Sequence, residues 1–100
     1  MYLILTSKEG EFITEPIDGL RPVEAYDYFF YGRKKAKFVI AEYVHEGKVR
    51  VTDNAVPPSI NEIPTKFFEK FGTLEKAREE LRHLAKFGSM DITLEPCPLP

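Results

Sequence analysis

The chain has 100 residues, of which 43% are hydrophobic and 30% are charged, a composition typical of one globular domain. Aromatic residues make up 13%, which excludes a disordered chain because disordered segments lack the apolar side chains that offset chain entropy. The net charge of -2 gives no overall attraction to nucleic acid or to an anionic membrane. Cys97 is the only cysteine, so an intrachain disulfide is excluded and a reducing compartment is favoured.

The N-terminal residues Met1–Thr6 are apolar, but they lack the features of a secretion signal. No basic region precedes them, and the charged residues Lys8, Glu9 and Glu11 follow at once. No apolar run approaches the roughly 20 residues that a membrane-spanning helix needs. We therefore predict a cytoplasmic protein that makes no contact with a membrane.

The first elements in chain order are predicted to form a β-hairpin. Residues Tyr2–Thr6 and Glu11–Glu15 are rich in β-formers and flank a glycine-containing turn at Ser7–Gly10. Pro16 predicts the end of the second strand, since proline has no N–H for the hydrogen-bond ladder. A loop containing two breakers, Gly19 and Pro22, is expected to follow.

Residues Val23–Tyr31 are predicted to form a short helix. Val23, Tyr26 and Phe30 share one face at helical spacing, and Gly32 is placed to end the helix. The density of aromatic residues also suits an extended segment, so that alternative stays open.

The clearest predicted strand is Ala36–Val44. Apolar side chains alternate onto both of its faces, which is typical of a central strand rather than an edge strand. His45–Gly47 predicts a turn, and Lys48–Asp53 returns as the second strand of another hairpin.

The C-terminal half is predicted to be mostly helical. Asn54–Pro64 contains three prolines and is expected to be a loop. Thr65–Phe71 predicts a short helix, and Leu74–Phe87, capped by Thr73, predicts the longest helix. Met90–Glu95 alternates apolar and polar residues and predicts a last strand.

These elements predict an α+β fold in the order ββ-α-ββ-α-α-β. The expected architecture is a small antiparallel sheet of about five strands with the helices packed on one face. We expect residues 1–95 to form a single domain and residues 96–100, which contain three prolines, to form a C-terminal tail.

The sharpest local feature is a run of basic residues that follows a cluster of aromatic residues. Basic side chains neutralise phosphates and aromatic rings stack on unpaired bases, so the combination suits single-stranded nucleic acid. Exposed aromatic residues also dominate protein interfaces. The alternative is a solvated turn with the aromatic residues in the core. The candidate partner-binding residues are Tyr26, Tyr28, Tyr31, Arg33, Lys34, Lys35 and Lys37.

Sequence signatures of catalysis, metal binding and cofactor binding are absent. His45 and His83 match no known spacing of metal ligands. Cys97 lies near Glu95, whose charge would raise the pKa of the thiol and keep it unreactive. Glycine patterns that cradle phosphates or dinucleotides do not occur. We predict no catalytic residues, no metal and no cofactor.

The sequence does not identify a function, and three classes stay open. The first is a non-catalytic accessory or protein-interaction domain, such as a small subunit or a homodimer. The second is a single-stranded nucleic-acid-binding protein that uses the basic segment Arg33–Lys37. The third is a small enzyme with a carboxylate-lined pocket, for which Glu24 and Asp27 are candidate acids. We favour the first, because no pattern brings catalytic groups together.

Overall fold

The computed structural model describes residues 1–85 and 90–100. A curled antiparallel sheet dominates it, with one α-helix and one turn of 3-10 helix at Thr65–Phe67. The elements are β1 (Tyr2–Lys8), β2 (Phe12–Phe30), β3 (Arg33–Asp53), β4 (Ser59–Pro64), α1 (Leu74–Leu84) and β5 (Ile92–Cys97).

The main structural unit is a long ribbon formed by β2 and β3, which have 19 and 21 residues. The two strands pair antiparallel from Phe12 opposite Asp53 to Phe30 opposite Arg33. The ribbon closes through the two residues Tyr31 and Gly32, both with positive φ, as in the tight turns that match the twist of paired strands.

The predicted helix at Val23–Tyr31 is therefore wrong, and so is the predicted loop before it. Both segments belong to β2, which continues through Pro16. Residues 25–30 pair with β3 on one side and with β5 on the other. Two neighbouring strands satisfy the backbone of this aromatic segment, and this tertiary pairing overrides its weak helical spacing.

The ribbon bends sharply where Gly19 of β2 meets Gly47 of β3. Between the pairs Asp18–Lys48 and Leu20–Tyr43, β3 carries extra residues and forms a bulge. A β-carbon on Gly19 would collide with the carbonyl oxygen of His45, and one on Gly47 with that of Asp18. The backbones can approach this closely because neither glycine has a side chain.

The predicted turn at His45–Gly47 does not reverse the chain. Both segments of the predicted second hairpin, Ala36–Val44 and Lys48–Asp53, lie in the single strand β3, so that hairpin is wrong. Gly47 lies within the strand instead of in a turn. It forms a bulge because β2 runs alongside β3 and holds the chain on its course through the bend.

Strand β1 joins the two halves of the bent ribbon. It pairs with β3 from Tyr2 opposite Glu42 to Lys8 opposite Ala36, and its end reaches the start of β2 at Phe12. Apart from the pair Lys8–Phe12 beside its turn, the predicted first hairpin does not form, because β1 pairs with β3 instead. Segment 36–42 lies between β1 and β2, which confirms that it is a central strand.

Two apolar clusters fill the fold. They lie on opposite faces of the half of the ribbon that is nearer the Tyr31–Gly32 turn. The cluster of Leu5, Ala25, Val39 and Val49 contains residues from both halves and lies between them. The other cluster lies beneath α1, where Ala77 and Leu81 pack on Phe38 and Ile40. The alternating apolar pattern of β3 is thus explained by burial on both faces.

The predicted α+β class with several packed helices is contradicted, because the described residues form mainly antiparallel sheet and one α-helix. Residues 65–67 form a 3-10 turn instead of a helix reaching Phe71, and residues 59–64 form β4 within the predicted loop. Thr73 caps α1 as predicted. The helix ends at Leu84, and the predicted residues 86 and 87 lie outside the described part.

The last strand begins and ends later than predicted. Strand β5 covers Ile92–Cys97 and so includes Pro96 and Cys97, which were assigned to the tail. An edge strand tolerates Pro96 because its missing N–H leaves no buried partner unsatisfied. Of the helices in the described residues, none is long and apolar enough to cross a bilayer.

The close backbone approach at the bend predicts that substitution by alanine destabilises the fold more at Gly19 than at Gly10, although the two glycines have nearly equal φ. Gly19 has φ +80° and Gly10 has φ +75°, but only Gly19 lies against another backbone. We expect Gly10→Ala to lower the free energy of unfolding by about 1 kcal/mol and Gly19→Ala by roughly 3 kcal/mol or more. Urea unfolding measures both values, and equal losses would contradict the close crossing.

Candidate interaction site at the hairpin tip

The seven residues predicted to bind a partner fall into three structural environments. Tyr26 and Tyr28 are half-buried on the face of β2 that lies beneath α1. The ring of Tyr28 packs edge-on against Phe38, with centroids 5.9 Å apart. Both tyrosines contribute to the core, and Tyr28 also lines a surface groove.

The hydroxyl of Tyr26 belongs to a polar link between the sheet and the helix. It donates a hydrogen bond to Glu24 Oε1 at 2.8 Å. Arg78 of α1 donates to the same carboxylate from Nε at 2.9 Å and from Nη2. The Arg78 hydrogen bonds lower the pKa of Glu24 against the opposing effect of burial. Burial and the bond to Glu24 raise the pKa of Tyr26.

Tyr31 lies at the closed end of the ribbon, which we call the hairpin tip (residues 30–35). Its side chain is 59% exposed and its ring stands edge-on to Phe30, with centroids 4.7 Å apart. Its backbone N–H donates to the carbonyl oxygen of Asp91 at 2.8 Å. Tyr31 adopts φ 50°, a region that bulky residues rarely occupy, so the surrounding pairing must hold it there.

Three consecutive basic residues, Arg33, Lys34 and Lys35, follow Tyr31 and are exposed. Lys34 Nζ lies 3.3 Å from Asp27 Oδ1, so part of its charge is compensated. The backbone N–H of Glu9 donates to the backbone carbonyl oxygen of Lys35 at 2.9 Å, and both residues line the same surface groove. The tip is therefore basic, with acidic residues at its flank.

Lys37 does not belong to the hairpin tip. It is half-buried, and because successive side chains of a strand alternate between faces, it points away from Phe38. It lines a cleft with Ser7, Thr14 and Val39 on the opposite side of the sheet. A second cleft is lined by Lys37 and Lys34 together, and Tyr28 lines the groove that contains Lys35. Tyr31, Arg33, Lys34 and Lys35 therefore share the hairpin tip, with Lys37 and Tyr28 beside it.

Cys97 is half-buried in β5, opposite Ala25. Burial raises the pKa of its thiol, and the nearby negative charge of Asp27 raises it further. The thiol pKa is raised, as expected, but the charge that raises it is on Asp27 rather than on Glu95. A thiol in this setting stays protonated at neutral pH and is a weak nucleophile.

Glu24 and Glu75 are not suited to act as general acids. The carboxyl groups of Glu24 and Glu75 have pKa values lowered by hydrogen bonds from arginines, so both stay ionised at neutral pH. A general acid needs the opposite shift. Within residues 1–85 and 90–100, no three His, Cys, Asp or Glu side chains are grouped as metal ligands.

Three contributors to the hairpin tip are absent from the predicted partner-binding residues. Phe30 supports the Tyr31 ring, Asp27 pairs with Lys34, and the Asp91 carbonyl fixes the Tyr31 backbone. One signal was present: Gly32 lies between an aromatic and a basic segment, at a position where either a helix end or a tight hairpin fits. The contact with Asp91 joins residues 60 positions apart and leaves no local signal.

No family model, curated protein or solved structure matches this chain. The site must therefore be interpreted from its own geometry.

The Glu24–Arg78 pair predicts a specific dependence of stability on pH. Because folding lowers the pKa of Glu24 below 4.5, its contribution is complete above that pH and is lost as pH falls through the lowered value. We expect Glu24→Gln to reduce the free energy of unfolding by about 1 kcal/mol at pH 7. The difference from the parent protein should shrink below pH 4.5.

Urea unfolding at pH 7, 5, 4 and 3 measures this difference. Glu79→Gln removes an exposed carboxylate from α1, the helix that carries Arg78, and serves as the control for net charge. A loss for Glu24→Gln that stays constant across these pH values would contradict the assignment.

Proposed function

We propose that this chain is a non-catalytic protein-interaction domain that binds an acidic surface of a partner protein through its hairpin tip. The observation that carries the proposal is the exposed Tyr31, held in a strained conformation beside Arg33. Tyrosine and arginine are the residue types that dominate binding energy in protein interfaces. A strained aromatic residue at an exposed turn suggests selection for contact rather than for stability.

The rigidity of the tip supports the same proposal. Phe30 pairs with Arg33 across the ribbon and with Ile92 of β5, so both sides of the β2 strand are hydrogen-bonded up to the turn. The Tyr31–Asp91 hydrogen bond extends this support into the turn itself. A pre-ordered loop loses little conformational entropy on binding, and this raises affinity without additional contact area.

Charge determines the kind of partner. Arg33 and Lys35 extend the aromatic surface with positive charge, and the Asp27 carboxylate partly compensates Lys34. A partner with carboxylates around an apolar depression would match both features. The whole protein carries a net charge of -2, so attraction to such a partner is local to the tip.

Binding to single-stranded nucleic acid is the second candidate, favoured by the three consecutive exposed cations Arg33, Lys34 and Lys35. Such proteins stack successive bases on several exposed rings. Here Tyr26 and Tyr28 are half-buried, and Tyr31 is the exposed one of the three predicted tyrosines. The proposal of a protein partner therefore ranks higher.

A tip variant with a matched control tests the proposal. The tip variant is Tyr31→Asn with Arg33→Ser, since asparagine tolerates positive φ and the turn should remain folded. The control is Phe67→Asn with Lys66→Ser, which removes another exposed aromatic residue, 71% exposed, and its neighbouring cation. Quantitative affinity capture from cells of the source organism, after nuclease treatment, compares both variants with the parent protein.

We expect at least one protein to be captured by the parent and by the control but not by the tip variant. With that protein purified, the tip variant should weaken binding at least tenfold, or about 1.4 kcal/mol. Equal capture by both variants would overturn the proposal. Salt-sensitive binding to a fluorescent oligouridine that the tip variant abolishes, with no selective protein, would replace it with the nucleic-acid function.

A further inference from the structure

The curled sheet ends in two edge strands of different character. Strands β4 and β5 are the outermost strands in the sheet order. An exposed edge presents unpaired N–H and C=O groups, and proteins blunt such edges with proline, charge or bulges. In β5, Pro96 lies within the strand and Pro98 follows it, so this edge lacks donors where a further strand would need them.

Strand β4 has fewer of these protective features within its length, although Pro58 directly precedes it. It pairs residue for residue with β3, from Ser59 opposite Asp53 to Pro64 opposite Lys48, without a register shift. Its one charged residue is Glu62, and its only proline is the last residue. Four of its six residues are exposed, and Ile60 is 63% exposed. A regular, uncapped strand of this kind is suited to pairing with another chain.

The side chains beside this edge form an ordered surface on the face that carries Ile60. Ile13, Thr52 and Ile60 lie in one row across β2, β3 and β4, and both isoleucines are at least 60% exposed. The next row contains Arg50, whose Nε is buried without a hydrogen-bond partner. Helix α1 packs on the other half of the ribbon and does not cover these rows.

The charge of Glu62 is compensated within its own chain. Arg50 Nη2 lies 3.4 Å from Glu62 Oε2, and Lys48 Nζ lies 3.8 Å from Oε1. The only acidic residue of β4 is thus surrounded by positive charge. A second strand that brings its own carboxylate close therefore meets an environment without net repulsion.

We infer that β4 pairs with β4 of a second copy of this chain, antiparallel about a two-fold axis at Asn61. Directly opposed residues in an antiparallel pair share a face of the sheet, so this register places Ile60 opposite Glu62 of the other copy. The two glutamates are not directly opposed. The row of Ile13, Thr52 and Ile60 then meets the row of Glu62, Arg50 and Glu15 in the other copy, and two-fold pairing gives the β4 edge of each copy a partner.

The second copy is the occupant that this edge fits best. A partner strand must itself offer a free and regular edge, and β4 of a second copy of this chain offers one. The register gives each chain the same contacts in both directions, as a two-fold interface requires. This inference does not rest on the proposed function, because the residues that pair in this register belong to β4 and not to the hairpin tip.

Sedimentation equilibrium of the full chain tests the inference with two matched variants. We expect the apparent mass to rise from 11.5 kDa towards twice that value as the protein concentration increases. Ile60→Lys, which places a bulky charge at the edge, should raise the dissociation constant at least tenfold. Val44→Lys changes a β-branched residue of nearly equal exposure, 61% against 63%, and should leave it unchanged.

A crosslink tests the register. In a Cys97→Ser background, Asn61→Cys places two thiols opposite each other at the axis, at a distance that a disulfide spans. We expect a covalent dimer to form faster than with Thr93→Cys on β5 in the same background. A monomer at every concentration, equal effects of the two lysine variants, or equal crosslinking at the two positions would overturn the inference.

Discussion

The close approach of two backbones at Gly19 and Gly47 is the constraint on which the rest of the fold depends. A flat ribbon of about 20 residues per strand would expose its apolar face along its whole length. The bend lets the two halves face each other and enclose the cluster of Leu5, Ala25 and Val49. The hydroxyl of Thr65 accepts the Gly47 N–H at 2.9 Å, which satisfies a polar group that the bulge leaves without a ladder partner.

The bend also determines which surfaces are available for binding. Helix α1 packs on the half of the ribbon that is nearer the Tyr31–Gly32 turn. Its Arg78 donates to Glu24 of β2, which also accepts from Tyr26. The two ends of β3 are left to contact solvent, with the hairpin tip at one end and the β4 edge at the other. Because the halves of the ribbon face each other, Ile13, which lies in the row beside the β4 edge, lines a cleft together with Lys34 of the hairpin tip.

The candidate site could be predicted in part. Exposure of Arg33, Lys34 and Lys35 follows from their charge, since unpaired cations are rarely buried. The environment of each tyrosine does not follow from sequence, because Tyr26, Tyr28 and Tyr31 have the same apolar ring and polar hydroxyl. Their positions relative to α1 and to the turn decide that two are half-buried and one is exposed. The contact of Tyr31 with Asp91 connects distant parts of the chain and has no local signature.

The sequence by itself determined two local patterns: the alternating apolar residues of Ala36–Val44 and the amphipathic helix capped by Thr73. These depend on side-chain period and capping, which neighbouring residues specify. Only the tertiary structure decided that Val23–Tyr31 is a strand and that Gly47 forms a bulge instead of a turn. Both outcomes depend on hydrogen-bond partners far away in the chain, and pairing energy from those partners exceeds the weak local preferences of the segments themselves.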